Sequence, residues 1–519
     1  MLTRRPREGR VDWRTLPVHP LGMAAFPVLF LFAENVVQQV TLRPLWEPLA
    51  LALMMAAVTL LACVAILRDW LRGALLASLL LALFFSFGHA RNLLGAVVPA
   101  VQVLAAAYLC VGLVGAWLIR RGGGWVRPAT TALNLALVVL VAINGARIVA
   151  FAGGSAQAAG PMATPAFAAD QSAPRRDIYY IVLDRYANAE TLREFFGFDN
   201  TPFLSALQAR GFVIAEDAWA NYFKTAFSVA AAMSMDYLDP ERFDLTEPPT
   251  FGPLHDYLRD HLPVPVTLKA LGYEYVHLGS DWEPTATNVD ADLSLRYEDY
   301  SEFSAALWAT TAQSLLSPPV DEDEDPESVN RPELARATTL FTFEQLEQVS
   351  ERRGPTFVFA HLLVPHPPYV FDSDGSMPTE EESLTRSTVE KYTHQLKWTN
   401  QRVLEVMDEL LDAPPGQEPI ILLQADEGPY PGRFRGDPAD FNWLEASDED
   451  IQHKFGILSA LHLPGVDHRE AGVTDRTSQV NLFRIVFNAY FEANLPLLPD
   501  ITYLSPDYAH MYDFVAYPR

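Results

Sequence analysis

Acidic side chains follow two apolar segments that the sequence predicts to be strands. Asp184 comes directly after the run Ile178–Leu183. Asp426 and Glu427 come shortly after a second run that ends at Gln424. Continuous apolar runs are typical of buried parallel strands, whose carboxyl ends meet at the sheet edge where such folds bind ligands. Three carboxylates there could hold a hard cation, which prefers oxygen ligands; the alternative is that an aspartate after a strand only caps the next helix.

A threonine stands at the predicted start of a helix. The helical pattern begins near Lys224, so Thr225 would lie at or close to the helix N-terminus. Free N–H groups and the positive end of the helix dipole make that position a seat for phosphate or sulfate. A metal on the Thr225 oxygen would lower its pKa and make it a nucleophile, with Lys224 and Ser228 as candidate substrate-binding residues. On this stretch alone, a capping role for Thr225 or Ser228 is the simpler interpretation.

Two histidines belong to a third predicted strand and the loop after it. The segment His361–Tyr369 reads HLLVPHPPY, and its prolines predict a rigid loop that places His366 at the same sheet edge. His366 could bind an anion, protonate a leaving group or ligate a second metal. His361 is either a substrate-binding residue or a hydrogen-bonded histidine of the core. Tyr369 would shape the rim of the site.

The elements that must position these residues alternate between strand and helix. Over ~340 residues this alternation predicts a mostly parallel sheet covered by helices on both faces, an α/β/α sandwich. The predicted strands lie at 178–183, 273–279, 356–363, 419–424 and 455–463, and the predicted helices at about 200–210, 388–412 and 478–493.

The first part of the chain is of a different kind. Its apolar runs lie near 18–38, 46–67, 73–90, 95–118 and 129–152. Because roughly 20 apolar residues cross the ~30 Å hydrocarbon layer, and a cleaved signal peptide explains only one run, they predict about five transmembrane helices. Arginine-rich and arginine-poor connections alternate, which places the N-terminus in the cytoplasm and everything after residue 152 outside. The predicted parts are a membrane domain 1–152, a flexible linker 153–175 and an extracytoplasmic domain 176–519.

Charge and cysteine content divide the chain in the same way. The chain carries 38 Lys+Arg and 64 Asp+Glu, a net charge of −26. Residues 1–152 contain 13 arginines and 5 acidic residues, a balance of +8, which leaves −34 for residues 153–519. So acidic an outer part argues against a nucleic-acid partner. Both cysteines, Cys63 and Cys110, lie in predicted spans, so the outer domain cannot form a disulfide.

The order of the motifs resembles that of the alkaline phosphatase superfamily in its sulfatase-like branch. The order is strand–Asp184, Thr225-Ala-Phe-Ser228, a PHPP loop and strand–Asp426-X-Gly. Several spans followed by a linker and an outer domain resemble lipoteichoic acid synthases and lipid A phosphoethanolamine transferases, and the stretch GSDWEPT at 279–285 resembles other membrane-anchored members. The resemblance implies that Asp184 and Asp426 bind a metal. It also implies that Thr225 attacks a phosphodiester as a metal-bound nucleophile, with His366 on the substrate side.

The chain departs from this family at the second strand end. Asp426-Glu427-Gly428 stands where the family usually has Asp-His-Gly. Glu427 either completes an all-oxygen site, which favours Mn²⁺, Mg²⁺ or Ca²⁺ over Zn²⁺, or marks a lost metal site. The transferases carry a further histidine about a dozen residues later. Here Arg433 and Arg435 are the candidates for its anion-binding role, unless they are ordinary surface arginines.

These observations predict a metal-dependent phosphotransferase or phosphodiesterase that acts on lipid-linked or cell-envelope substrates. A formylglycine sulfatase is excluded, because no cysteine follows residue 110 and the nucleophile region lacks a Cys/Ser-X-Pro-X-Arg motif. The alternative is an inactive sulfatase-like domain that binds a glycan, lipid or protein during envelope assembly. The sequence does not determine an oligomeric state.

Overall fold

The chain divides into two units in the computed structural model, and each is described by itself. The first comprises Met1–Ala156 and Ser301–Pro319, and the second comprises Gln157–Tyr300 and Val320–Arg519. Most of the predicted linker 153–175 lies outside the described residues. The structure describes residues 16–35, 42–94, 101–154, 175–243, 249–260, 262–297, 302–316, 332–352, 354–431 and 442–519.

Helices occur in both units. In chain order they are α1 (His19–Glu34), α2 (Arg43–Leu67), α3 (Trp70–Leu94), α4 (Val101–Arg121), α5 (Val126–Gly154), α6 (Ala189–Phe196), α7 (Thr201–Ala209), α8 (Thr225–Ser234), α9 (Pro240–Phe243), α10 (Gly252–Arg259), α11 (Pro263–Ala270), α12 (Glu283–Ala286), α13 (Glu302–Ala309), α14 (Pro332–Val349), α15 (Glu380–Thr385), α16 (Thr388–Leu411), α17 (Asp448–Phe455) and α18 (Gln479–Phe491).

The first unit is built from α1 to α5. Among the described residues, four of these helices, α2 to α5, are long and apolar enough to cross a membrane. Helix α1 lies in the first predicted span but has only 16 residues, which corresponds to a length of about 24 Å. The structure therefore shows four candidate spans where the sequence predicted about five.

A short segment from the second half of the chain also belongs to the first unit. Helix α13 and the 3-10 helix Ala312–Leu316 pack against the apolar helices. The Gly88 amide of α3 donates a hydrogen bond of 2.8 Å to the Thr310 carbonyl. The ring of Phe303 packs edge-on against that of Phe32 in α1, with centroids 5.1 Å apart. The sequence did not indicate this packing, because the segment is far in the chain from the helices that it contacts.

The second unit is organised around a seven-stranded sheet of order β2-β7-β6-β1-β5-β3-β4. The strands β6, β1, β5, β3 and β4 run parallel to one another. Strand β7 pairs in the antiparallel direction with both β6 and β2. A separate antiparallel pair, β8 and β9, follows near the C-terminus. The strands are β1 (Ile178–Leu183), β2 (Val213–Ile214), β3 (Glu274–Leu278), β4 (Leu293–Leu295), β5 (Thr356–Leu362), β6 (Ile420–Gln424), β7 (Ser459–His462), β8 (Thr502–Leu504) and β9 (Val515–Tyr517).

The predicted α/β fold class is confirmed. Every residue of β1, β5 and β6 is buried, which explains why these strands read as continuous apolar runs. Tyr180 of β1 packs edge-on against Phe483 of α18, with ring centroids 5.4 Å apart. The central strands therefore form the core of the unit, and their carboxyl ends share one edge.

Candidate active site

Strand register brings the two predicted aspartates together. In the parallel ladder Val182 of β1 lies opposite His361 of β5 on one side and Gln424 of β6 on the other. Asp184 lies two residues beyond Val182, and Asp426 lies two residues beyond Gln424. The two carboxylates and the imidazole therefore converge at the carboxyl edge of the sheet, where open parallel sheets bind ligands.

Asp184, Asp426 and His361 form a buried group that fits a metal ion. One potential ligand atom from each residue lies within 4.8 Å of the others, and His361 Nε2 is 3.6 Å from Asp184 Oδ2. Within the described structure, Asp184 Oδ1, Asp426 Oδ2 and His361 Nε2 are buried without a hydrogen-bond partner. Buried polar atoms normally have partners, and leaving them without one costs free energy. A divalent cation would satisfy all three atoms together.

The charges of this group perturb both carboxyl groups. Burial, together with the charges of Asp184 and Glu427, raises the pKa of Asp426 to about 7. Burial also acts to raise the pKa of Asp184, but the positive charges of His366 and His361 outweigh it and hold that pKa below its usual range. Like charges in a dry site cannot both ionise without cost. The surroundings therefore favour the ionised form of Asp184 and disfavour the ionised form of Asp426.

Thr225 lies at the entrance to this group. It is the first residue of α8 and is half-buried in an otherwise buried stretch. Its hydroxyl acts to lower the pKa of the Asp426 carboxyl group, which is consistent with a position close to that group. The residue at the N-cap position is Lys224, and it forms no side-chain cap. Ser228 is buried, and its hydroxyl donates to the Tyr222 carbonyl at 3.2 Å. The simpler alternative, in which Thr225 or Ser228 caps the helix, is thus not what the structure shows.

Glu427 is held by two cations. Its Oε1 lies 2.8 Å from Lys454 Nζ and 3.0 Å from Arg185 Nε, and all three side chains are at least nine-tenths buried. Lys454 also donates to the Gly428 carbonyl at 3.0 Å. These three residues, called the Glu427 ion cluster below, lie beside the metal-binding group. The sequence predicted that Glu427 either binds the metal or marks a lost metal site. In the structure Oε1 lies between Lys454 and Arg185, and Oε2 is buried without a hydrogen-bond partner among the described residues, so the role of Glu427 stays a prediction.

An aromatic ring lies against the same cations. Lys454 Nζ is 3.6 Å from the centroid of the Tyr430 ring, the Arg185 guanidinium carbon is 4.5 Å from it, and Lys224 Nζ is 5.3 Å from it. Cations over an aromatic face are attracted by the ring quadrupole. Three positive side chains are therefore held near the strand end that bears Asp426.

His366 and Tyr369 lie in the loop after β5, as predicted. The positive charge of His366 acts on Asp184, which places it at the same edge. Gln395 of α16 fixes the loop: its Nε2 donates to the His366 carbonyl at 2.8 Å, and its Oε1 accepts from the Val370 amide at 2.7 Å. Tyr369 is partly buried against the core. The substrate-facing roles of these residues remain predictions.

His361 departs most from expectation. Predicted as a substrate-binding or core residue, it lies in the metal-binding group and is fully buried. Its Nδ1 is 2.9 Å from Thr285 Oγ1, a residue of the GSDWEPT stretch. Arg433 and Arg435 lie outside the described residues, so their anion-binding role stays a prediction.

Sequence reasoning missed Arg185, Lys454 and Thr285. Arg185 has a positive φ of 60°, a backbone conformation uncommon for a non-glycine residue and therefore informative, but nothing in the sequence announces it. Lys454 lies in the last turn of α17, whose start is set by a capping box at Ser447 and Asp450. Thr285 belongs to the GSDWEPT stretch, which resembles other family members in sequence but has no role predicted from it.

Comparison with known proteins identifies the family. A protein-family model described as Sulfatase matches residues 180–483. No curated protein matches the chain. Among solved structures the chain is similar to the C-terminal periplasmic domain of EcEptC from Escherichia coli in complex with Zn, with 12% identity, a TM-score of 0.44, and coverage of 67% of this chain and 92% of that chain.

Two further solved structures are similar. One is the integral membrane protein lipooligosaccharide phosphoethanolamine transferase A (EptA) from Neisseria meningitidis, with 14% identity, a TM-score of 0.41, and coverage of 91% of this chain and 95% of that chain. The other is the lipoteichoic acid synthase LtaP from Listeria monocytogenes, with 13% identity, a TM-score of 0.39, and coverage of 65% and 82%. Likeness at this level carries no conclusion about activity. The family model, however, covers more than half of the chain, including Asp184, Thr225, His361 and Asp426. The chain therefore belongs to the sulfatase family, which confirms the resemblance predicted from the order of its motifs.

Proposed function

We propose that the protein is a metal-dependent phosphotransferase or phosphodiesterase that uses Thr225 as its nucleophile. The observation that carries this proposal is the position of Thr225, the first residue of α8, whose hydroxyl acts on the Asp426 carboxyl group. Asp426 belongs to the group whose three buried ligand atoms have no hydrogen-bond partner within the described structure. A nucleophile next to a cation site is the arrangement that phosphoryl transfer needs, because positioning and charge neutralisation supply most of the catalysis.

Each residue has a role in this proposal. Asp184 and Asp426 hold the cation, which when bound lowers the pKa of the Thr225 hydroxyl and neutralises charge on the phosphoryl oxygens. Thr225 releases its hydroxyl proton to solvent, its Oγ attacks phosphorus, the bond from phosphorus to the leaving oxygen breaks, and the phosphoryl group stays on Thr225. Water or an alcohol then attacks the same phosphorus, the bond from phosphorus to Thr225 Oγ breaks, and Thr225 takes a proton back from solvent. His366 protonates the leaving oxygen in the first step and removes a proton from the acceptor in the second.

The start of α8 assists charge binding. The first turn of a helix presents free N–H groups and a positive dipole end to an anion. Lys224, immediately before Thr225, adds a positive charge. A tetrahedral phosphodiester next to Thr225 would meet both features, and this supports phosphorus rather than a neutral carbonyl as the electrophile.

The substrate is lipid-linked or part of the cell envelope in this proposal. The candidate membrane spans of the first unit would keep the catalytic domain at a bilayer. The alternation of arginines supports a cytoplasmic N-terminus and an extracytoplasmic domain 176–519. The absence of a Cys/Ser-X-Pro-X-Arg motif near Thr225 supports phosphate over formylglycine-dependent sulfate chemistry.

Glu427 motivates a second candidate function. One of its oxygens is shared by Lys454 and Arg185, and these cations neutralise the carboxylate at the position where the family usually has a histidine. A domain that has lost its metal would serve as a binding module in envelope assembly. Metal analysis of the purified full-length protein separates the two: a stoichiometric divalent ion supports the enzyme, and its absence after exposure to Mn²⁺, Zn²⁺, Mg²⁺ and Ca²⁺ supports the binding module.

Intact mass tests the nucleophile directly. Full-length protein in detergent is incubated with phosphatidylethanolamine and, separately, with phosphatidylglycerol, and the mass increment is mapped to a peptide. We expect an increment on Thr225 that is absent in Thr225→Ala and retained in Ser228→Ala, since the Ser228 hydroxyl is engaged with Tyr222. Turnover that survives Thr225→Ala would refute the mechanism.

A further inference from the structure

A chain of hydroxyl groups leads from the GSDWEPT stretch to the metal-binding group. His361 Nδ1 is 2.9 Å from Thr285 Oγ1, and Thr285 Oγ1 is 2.8 Å from Ser280 Oγ. Ser280 Oγ donates to the Trp282 carbonyl at 3.2 Å and accepts from the Trp282 amide at 3.1 Å. All of these side chains except that of Trp282 are buried, so the chain is sheltered from water.

The hydroxyl groups of this chain can each donate or accept, because a hydroxyl has one hydrogen and two lone pairs. One consistent arrangement has Ser280 donating to the Trp282 carbonyl, Thr285 donating to Ser280 and His361 Nδ1 donating to Thr285. Binding of a cation through Nε2 requires this arrangement, because the proton of a neutral His361 must then be on Nδ1.

This tautomer leaves the lone pair of His361 on Nε2. That atom is 3.6 Å from Asp184 Oδ2 and has no hydrogen-bond partner within the described structure. A lone pair aimed at carboxylate oxygens is repelled unless a cation lies between them. Histidine ligands commonly donate their other ring N–H to an outer partner, which fixes the ring and the tautomer for metal binding.

We propose that His361 is a nitrogen ligand in a mixed site with Asp184 and Asp426, and that Thr285 and Ser280 are the positioning residues that fix its tautomer. This inference rests on the proposed function. Among the described residues, the ligand atoms that lie within 4.8 Å of one another come from one imidazole and two carboxylates. Such a donor set favours ions that accept nitrogen, such as Mn²⁺ and Zn²⁺, over Mg²⁺ and Ca²⁺. The sequence alone left two possibilities, an all-oxygen site that favours Mn²⁺, Mg²⁺ or Ca²⁺ over Zn²⁺ and a lost metal site.

Pulsed EPR on Mn²⁺-loaded full-length protein in detergent tests the ligand. A nitrogen ligand gives a ¹⁴N hyperfine coupling that an all-oxygen site lacks. We expect this coupling in the wild type, its loss in His361→Gln, and its retention in His366→Gln. Three results would each overturn the proposal: binding of Mn²⁺ without ¹⁴N coupling, ¹⁴N coupling that survives His361→Gln, and no binding of Mn²⁺. The last result would mean that a protonated His361 pairs with Asp184 instead.

A matched pair of variants tests the positioning residue. Thr285→Val keeps the shape and removes the hydroxyl, whereas Thr285→Ser keeps the hydroxyl. Mutation of an outer partner of a ligand histidine typically weakens metal binding about 10–100-fold, and we expect a loss of this size for Val and near wild-type affinity for Ser, measured by chelator competition. Equal affinity of the two variants would overturn the positioning role. Thermal unfolding of the metal-free variants shows whether both remain folded; should Thr285→Val fail to fold, the wild-type EPR spectrum still decides on the ligand.

The outcomes distinguish this inference from the proposed function. A mass increment on Thr225 without ¹⁴N coupling leaves the nucleophile standing and overturns only the role of His361. Nitrogen coupling without an increment, with either lipid, supports the mixed site and counts against the proposed transfer chemistry.

Discussion

The substitution Asp426→Asn should stabilise the metal-free protein. The pKa of Asp426 is about 7 in the folded protein, against about 3.9 for an ordinary aspartate. At one pKa unit per 1.36 kcal/mol, holding this carboxyl in the site near neutral pH costs about 4 kcal/mol. Asparagine removes the charge at constant shape and keeps an oxygen for the Arg185 amide that donates to Asp426 Oδ1.

The sign of the pH dependence follows from the same shift. Because the folded protein binds the proton more tightly than the unfolded chain, this carboxyl removes stability as the pH rises from about 4 to about 7. Metal-free wild type should therefore lose up to about 4 kcal/mol over this range through this group. The variant should lose correspondingly less, and the gap between the two proteins should be widest near pH 7.

Thermal unfolding of the full-length protein in detergent with a chelator measures this gap at pH 5 and pH 7. Asp412→Asn, at an exposed position after α16, is the matched control and should change little. Adding Mn²⁺ should stabilise the wild type by mass action and leave Asp426→Asn unchanged. Two results would refute the idea that Asp426 destabilises the metal-free protein and binds the cation. One is an Asp426→Asn protein that is no more stable than metal-free wild type. The other is an Asp426→Asn protein that still binds Mn²⁺ with wild-type affinity.

Three further predictions concern the surroundings of the site and the first unit. Glu427→Gln should lower the free energy of unfolding by about 3–5 kcal/mol, since it leaves both cations of the Glu427 ion cluster buried without their carboxylate; thermal unfolding measures this, and unchanged stability would contradict it. Gly428→Ala would place a Cβ 2.6 Å from the Lys454 carbonyl, and the resulting shift should cost about 1–3 kcal/mol and reduce turnover, so a fully active, equally stable variant would count against it. Gly88→Ala would place a Cβ 2.4 Å from the Thr310 carbonyl carbon, and this overpacking should cost about 1–3 kcal/mol. Because the segment 302–316 would then open locally more often, limited proteolysis should cut it roughly ten- to a hundred-fold faster. Unchanged cleavage would show that this contact is unimportant.

Much of the α/β domain could be predicted because its signals are local. The run Ile178–Leu183 is apolar at every position, and the structure has β1 over the same residues. The predicted helices at 200–210 and 388–412 correspond to α7 and α16 within two residues. Asp184 and Asp426 follow from the same logic, because a residue after a parallel strand lies at the ligand edge whatever the rest of the chain does.

The partners of Glu427 could not be predicted. Lys454 lies 27 residues after Glu427 in the chain, and it reaches the carboxylate only because α17 packs where it does. The partner of His361 Nδ1 is likewise Thr285, which is 76 residues away in the chain. Contacts of this kind depend on tertiary packing, and a single sequence carries no spacing rule for them.

The sequence by itself determined which candidate site residues follow which elements. These are two aspartates at strand ends, a threonine at a helix start and a histidine in a proline-rich loop. It did so because strand and helix periodicity, and the positions that follow them, are properties of neighbouring residues. Only the tertiary structure decided which groups meet. The register of β1 and β5 places His361 next to the aspartates. Glu427 pairs with Lys454 and Arg185, and the segment 302–316 packs against the apolar helices. Each of these contacts joins residues from distant parts of the chain in a buried environment. Burial of a charge or polar atom without a partner costs free energy, so these residues must pair with one another.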